Sequence, residues 1–197
     1  TSTSPDFGFE GVVDRFGQVE AKIMFVADSY FYNGKTHDCL EKAKTITDKI
    51  DSIQKVVVIN FTNSHWQEKL EGQNDKFIAW ENTLDNENQV VEFEPVEFKH
   101  PLYILYSSGT TGKPKCIVHG TGGILLQHKK ELVLHSNVNA DDKLFYFTTC
   151  GWMMWNWMAS TLTTGATLFL YDGSPFYPDG NRLLDMVEKN NVTHFGT

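Results

Sequence analysis

Between Ile23 and Phe195 the chain keeps switching between short apolar runs and helix-period segments, and that alternation constrains its fold more than any other feature. Ile23-Met24-Phe25-Val26-Ala27 and Val56-Val57-Val58-Ile59 are continuous apolar runs, the second almost wholly β-branched. Such runs suit parallel strands covered on both faces, because an antiparallel strand with one wet face alternates polar and apolar residues. Gly34–Ile50 lies between them, with Leu40, Ala43, Ile46 and Ile50 at helical spacing, so the spacing predicts a βαβ unit with a right-handed crossover. Strands are expected again at Leu102–Tyr106, Lys115–His119, Leu144–Thr148, Ala166–Tyr171 and from Thr193. Helices are expected from Gly122-Gly123 to about His135, over Trp152–Leu162 and over Asn181–Asn190. The fold class read from this pattern is α/β, a mostly parallel sheet flanked by helices, and 197 residues suffice for one medium domain with a core.

Residues 62–99 break the pattern. They are rich in Asn, Glu and Gln, and only Phe77 to Leu84 has the apolar content for one short helix. A net charge of -8 argues against nucleic acid and anionic membranes as partners, both of which need basic patches. It leaves a phosphate site open, which needs only a few local cations and N–H groups. Cys39, Cys116 and Cys150 are an odd number without paired spacing, as expected in a reducing compartment. No apolar run reaches the roughly 18 residues of a membrane span, and Thr1–Ser4 has no signal-peptide character. Both ends fall abruptly, the second inside a strand, as expected of an internal segment.

The segment with the most chemistry is Tyr106-Ser107-Ser108-Gly109-Thr110-Thr111-Gly112-Lys113-Pro114-Lys115. Glycines allow tight turns and close approach to a ligand, and successive N–H groups can form an anion nest. Hydroxyls donate to phosphate oxygens, and lysines supply compact positive charge. It is not the P-loop of NTPases, which has four residues between its glycines and Ser or Thr after its lysine. Here two residues separate Gly109 from Gly112, and Pro114 follows Lys113, so a loop between strands is expected rather than a strand-to-helix cradle. Polar turns use the same residue types; the ordered string is what sets this one apart.

That string resembles the phosphate-binding signature of the adenylate-forming superfamily, which includes acyl-CoA synthetases, luciferases and peptide-synthetase adenylation domains. Most members have Gly after the Pro-Lys pair, where this chain has Cys116. The surrounding text is more selective: Pro114-Lys115-Cys116-Ile117-Val118-His119, Gly122-Gly123 with Gln127-His128, Gly151-Trp152-Met153-Met154-Trp155-Asn156-Trp157-Met158, and Leu170-Tyr171-Asp172-Gly173-Ser174-Pro175. With Ser4-Pro5-Asp6-Phe7-Gly8 and Tyr32-Asn33-Gly34-Lys35 upstream, it is similar to the acetoacetyl-CoA synthetase branch over essentially the whole chain.

The tryptophan-rich segment also has a physical reading. On a helix Trp152, Trp155 and Asn156 would share a face, where large rings and one amide could wall a small pocket for an oxo-acid. Aromatic stripes are usually simple core, and Trp157 is better explained that way. The resemblance favours the pocket, since this motif precedes the acyl site in relatives. His119, His128 and His135 lack Cys or carboxylate partners at ligand spacing and are read as solvated or core histidines, not a metal site. Asp141-Asp142 reads as a turn before a strand.

The resemblance implies an ATP-dependent ligase that activates acetoacetate as acetoacetyl-AMP and transfers it to coenzyme A, with Mg2+ accompanying ATP. It implies a cytosolic enzyme of ketone-body and lipid metabolism with small-molecule partners only. Ser107, Ser108, Gly109, Thr110, Thr111, Gly112, Lys113 and Lys115 would hold the ATP phosphates, and Trp152, Trp155 and Asn156 would line the acyl pocket. Residues 1–197 would be part of the AMP-binding adenylation domain. The acidic motif for Mg-ATP, the ribose-binding Asp, the hinge and the C-terminal mobile domain with its catalytic lysine would lie beyond Thr197. A segment of this kind is expected to be inactive alone. The competing expectation is a non-catalytic nucleotide-binding or regulatory protein with a degenerate or truncated ligase fold; the intact hydroxyls and lysines of the loop argue against it.

Overall fold

The computed structural model describes residues 1–63, 65–69, 75–84, 90–107 and 112–197. The chain forms two compact units, one built from Pro5–Pro95 with Ser108–Cys116, the other from Thr1–Ser4, Val96–Ser107 and Ile117–Thr197.

The first unit is organised by valines. Strand β1 (Ile23–Ala27) and strand β4 (Lys55–Ile59) pair in parallel, Met24 opposite Val56 and Val26 opposite Val58. Strand β5 (Phe77–Ala79) adds to the other side of β4, also parallel, giving the order β1-β4-β5. Helix α1 (Phe9–Phe16) and helix α2 (Leu40–Lys49) supply the apolar stripe that covers one face. Val12, Leu40, Ala43 and Ile46 meet Met24, Val56, Val58 and Phe77 there, and Leu40, Val56 and Val58 are almost wholly buried. On the opposite face Ile23 and Phe25 are exposed.

Two sequence expectations need correction in this unit. The segment read as helical from Gly34 begins as a strand: β2 (Ser29–Tyr32) and β3 (Lys35–Asp38) form an antiparallel hairpin. Its turn is Asn33-Gly34, both at positive φ, the pairing that favours two-residue hairpins. The helix starts only where the Asp38 carboxylate accepts the N–H groups of Leu40 and Glu41. Likewise Phe77 to Leu84 is not a helix. Phe77–Ala79 takes the free edge of β4, and only Trp80–Thr83 coils, as a short 3-10 turn after a four-residue helix α3 (Trp66–Lys69) upstream. Pairing with a buried valine strand outweighs weak local helix preference.

A buried carboxylate fixes the end of β1. Asp28 is fully buried, and its Oδ1 accepts N–H groups from Ser29 (2.8 Å), Phe61 (2.9 Å) and Thr62 (3.0 Å). Its Oδ2 accepts the Thr62 hydroxyl at 3.0 Å.

Strand β6 (Pro101–Ser107) pairs with β7 (Lys115–Gly120), which belongs to the second unit from Ile117 on, and the Thr121 N–H donates to the His100 carbonyl. Helix α4 (Thr121–Lys130) follows and widens into a π turn over Glu131–His135. A second parallel sheet has β8 (Lys143–Tyr146) in the centre, with β9 (Thr167–Leu168) on one side and β10 (His194–Gly196) on the other. Helix α5 (Met153–Ala159) continues as a 3-10 turn over Ser160–Thr164, and α6 (Arg182–Asn190) precedes β10. Leu132, Val138, Leu144, Met158 and Ala166 form its core. Asp142 turns the chain into β8 by accepting the Asn139 N–H, as Asp141-Asp142 suggested. The α/β class with parallel sheets and flanking helices is what the alternation predicted. Among the described residues no helix is long and apolar enough to cross a membrane.

Candidate functional site

The hydroxyl- and lysine-rich segment bridges β6 and β7. Ser107 is the last residue of β6 and is half-buried; Lys115 opens β7 with its side chain exposed. Ser108, Gly109, Thr110 and Thr111 lie outside the described residues. Gly112 stands at φ +143°, with nothing within 4 Å of where a side chain would begin. Glycine is therefore required there by backbone conformation, not by crowding.

After Gly112 the chain lies against the end of α1. Lys113 Nζ is 3.3 Å from Asp14 Oδ1, and Gln18 Nε2 donates to the Pro114 carbonyl at 3.0 Å. Asp14, Gln18 and Lys113 line an open groove of about 450 Å³ together with Lys49, Asp51 and Ser52. The platform is firm: Val12 of α1 is buried in the core, and Lys42 Nζ donates to the carbonyls of Pro5 (2.9 Å) and Phe7 (3.1 Å). Asp14 and Gln18 were not among the residues singled out by sequence; nothing local marks two polar residues at the end of an amphipathic helix.

The tryptophan segment is arranged differently from the shared helical face expected. Trp152 precedes α5 as its N-cap, with extended backbone (φ -110°, ψ 150°) and 63% exposure. Trp155 and Trp157 are on the helix and both pack against the core around Leu132 and Met158, Trp157 with its ring edge-on to Tyr146. Asn156 Nδ2 is buried without a hydrogen-bond partner among the described residues. Its backbone carbonyl accepts the Ser160 hydroxyl at 3.0 Å, and Ser160 Oγ is 2.8 Å from Nδ1 of the buried His128. Burial holds the His128 imidazole below its ordinary pKa; His119 nearby pushes the same way, and Glu131 opposes. His128 is thus a core histidine. Among the described residues no three His, Cys, Asp or Glu side chains gather as they would around a metal ion.

The family model of AMP-binding enzymes matches this chain over residues 2–197. The chain belongs to the AMP-binding enzyme family. Among curated members, the acetoacetyl-CoA synthetase of Danio rerio is 46% identical over 202 residues, covering 100% of this chain and 30% of that protein. The acetoacetyl-coenzyme A synthetase of Rhizobium meliloti (strain 1021) is 48% identical over 199 residues, with the same coverage of each. A malonamoyl-CoA synthetase of Penicillium aethiopicum is 42% identical over 211 residues, covering 100% of this chain and 29% of that one. The solved structure of an acetoacetyl-CoA synthetase from Streptomyces lividans superposes with a TM-score of 0.89 at 41% identity, over 100% of this chain and 29% of that structure. This AMP-binding chain therefore spans about 30% of the length of the curated relatives it matches.

Proposed function

We propose that this chain carries the phosphate loop and part of the acyl site of an ATP-dependent acid–thiol ligase acting on acetoacetate. The carrying observation is the hydroxyl, glycine and lysine sequence that connects β6 to β7, with Gly112 at a φ of +143° that favours glycine. Acetoacetyl-CoA synthetases at 46% to 48% identity over the whole chain support the same reading.

A free carboxylate is a poor electrophile because its carbon is shielded by charge and neither oxygen leaves readily. In the proposed first half-reaction a carboxylate oxygen of acetoacetate attacks the α-phosphorus of ATP. The bond to the β-phosphate oxygen breaks, and pyrophosphate leaves. In the second, the coenzyme A thiol attacks the acyl carbon, loses its proton and displaces AMP. Ser107, Ser108, Thr110 and Thr111 hydroxyls, backbone N–H groups around Gly109 and Gly112, and Lys113 and Lys115 would hold the β- and γ-phosphates, where charge accumulates as pyrophosphate departs. The Mg2+ that accompanies ATP would be held by the phosphates themselves, water and one or two carboxylates, and would neutralise part of the phosphate charge.

For the acyl end we assign Trp152, Trp155 and Asn156. The unpartnered Asn156 Nδ2 supports this, since a carbonyl at carbon 3 would complete it. Acetoacetyl and malonamoyl groups share that carbonyl. Residues 1–197 are proposed as part of an adenylation domain, with the hinge and mobile C-terminal domain supplied by sequence outside this chain; the 30% span of relatives supports this. A cytosolic setting is proposed from the free thiols of Cys39 and Cys116.

The test is a pair of rates on the full-length protein carrying Thr110→Ala and Thr111→Ala. Adenylation, followed as ATP–pyrophosphate exchange, is expected to fall about 10²- to 10³-fold if the donors are as effective as other preorganised ones. Thioester formation from synthetic acetoacetyl-AMP and coenzyme A involves no β- or γ-phosphate and is expected to stay close to wild type. Equal losses in both halves at unchanged melting temperature would refute the assignment, and no exchange in the unmutated protein would favour a non-catalytic one.

A further inference from the structure

We propose that Asp14 is a positioning residue for the phosphate loop, a counter-ion that holds Lys113 against α1 until a polyphosphate takes the lysine over. The inference rests on the reading of residues 107–115 as a phosphate loop.

Three observations converge on it. Lys113 Nζ sits 3.3 Å from Asp14 Oδ1, and the ion pair is open to water, with side-chain exposures of 72% and 29%. Gln18 Nε2 holds the next residue of the loop through the Pro114 carbonyl, and also donates to the Asp14 backbone carbonyl, so one side chain ties the loop stem to the helix end. Gly112 gives the chain a φ of +143° immediately before Lys113, which lets the backbone reach this position without a strained side chain.

The chemistry follows from competition. An ammonium cannot give its full charge to a carboxylate and to a phosphate at once, and a carboxylate left beside a polyphosphate repels it. Lys113 has a four-carbon stem and can leave Asp14 while Gln18 keeps the Pro114 backbone in place. The exposed pair is weak enough to exchange rather than lock. In the ligand-free protein the pair keeps the lysine ordered near the groove; on binding, the β- or γ-phosphate replaces Asp14 as its partner. Asp14 touches no reacting atom in this scheme. It sets the affinity at which the loop engages its ligand.

The experiment is a double-mutant cycle on the full-length protein, with ATP and inorganic pyrophosphate as probes and binding measured by titration calorimetry. Asp14→Asn is expected to tighten binding of both about two- to five-fold, the range an exposed ion pair commands. The gain should vanish when Lys113→Met is present and should be undone by Asp14→Glu, which keeps the charge. It should also shrink with added salt, as the screening length falls from about 10 Å at 0.1 M to about 3 Å at 1 M. A merely structural Asp14 would give weaker binding and a lower melting temperature instead. A gain that persists in the Lys113→Met background would mean simple repulsion of phosphate by Asp14 and would overturn the latch. So would unchanged binding in Asp14→Asn while Lys113→Met and Lys115→Met still weaken it. Were the two lysine variants themselves without effect, the phosphate-loop reading would fall, and the latch with it.

Discussion

Asp28→Ala should be among the most damaging single changes in the first unit. The side chain is fully buried and satisfies three backbone N–H groups and one hydroxyl at 2.8 to 3.0 Å. Alanine leaves the Ser29 N–H without its acceptor in a residue that is only 2% exposed, at about 1–3 kcal/mol. The N–H groups of Phe61 and Thr62 are nearer solvent, so water can replace the carboxylate at about 0.5–1 kcal/mol each. The total is about 2–5 kcal/mol, a large part of the roughly 5–15 kcal/mol that holds a domain folded. Asp28→Asn keeps one carbonyl oxygen for the three N–H groups and should lose only about 1–2 kcal/mol. Urea denaturation of both variants, with a common slope, measures the two numbers. A loss under about 1 kcal/mol in Asp28→Ala would show that the turn after β4 holds itself without the carboxylate.

Other outcomes are expected from the same geometry. His128 is kept neutral by burial, so the unfolded chain binds its proton more readily; its contribution is complete above about pH 6.5 and is lost as pH falls toward the depressed folded value. The denaturation midpoint should therefore drop more steeply between pH 7 and pH 5 in the wild type than in His128→Asn. Leu132→Ala, at a position with no exposure, should cost about 2–5 kcal/mol by calorimetry. Trp152→Ala removes an exposed ring and should leave stability within about 0.5 kcal/mol, while changing the ratio of acetoacetate to hexanoate turnover; an unchanged ratio would take Trp152 out of the acyl site. Gly112→Ala should lower the melting temperature by a few degrees and raise the KM for ATP, because about 1–3 kcal/mol of backbone strain is added in the loop.

Parallel strands were readable because their signal is redundant. Val56 to Val58 have no polar alternation, and Leu40, Ala43 and Ile46 point to one covering face, so pattern and packing agree. The β2–β3 hairpin was written in Asn33-Gly34, yet the apolar helix period beginning at Leu40 extended too far back over it. Phe77 to Ala79 could not be read locally, since its strand state exists only because β4 has a free edge. At the site, residue order revealed the loop, whereas Asp14 and Gln18 became visible only in three dimensions. The Trp152 face failed for a geometric reason: an N-cap has extended dihedrals, so helical spacing does not extend to it.

The placement of β8 between β9 and β10 has a consequence for synthesis on the ribosome. Leu144 and Phe145 are buried in the finished sheet, but the β10 partners facing them, His194 and Phe195, are translated fifty residues later. At about 5–20 residues per second, β8 waits several seconds with one side unpaired after it leaves the exit tunnel. During that interval β9, which needs only half the wait, is its strand partner among the described residues in the order β10-β8-β9. Slow codons between Leu168 and His194 would lengthen this exposure, and chaperone capture during translation should peak in nascent chains that end in that stretch.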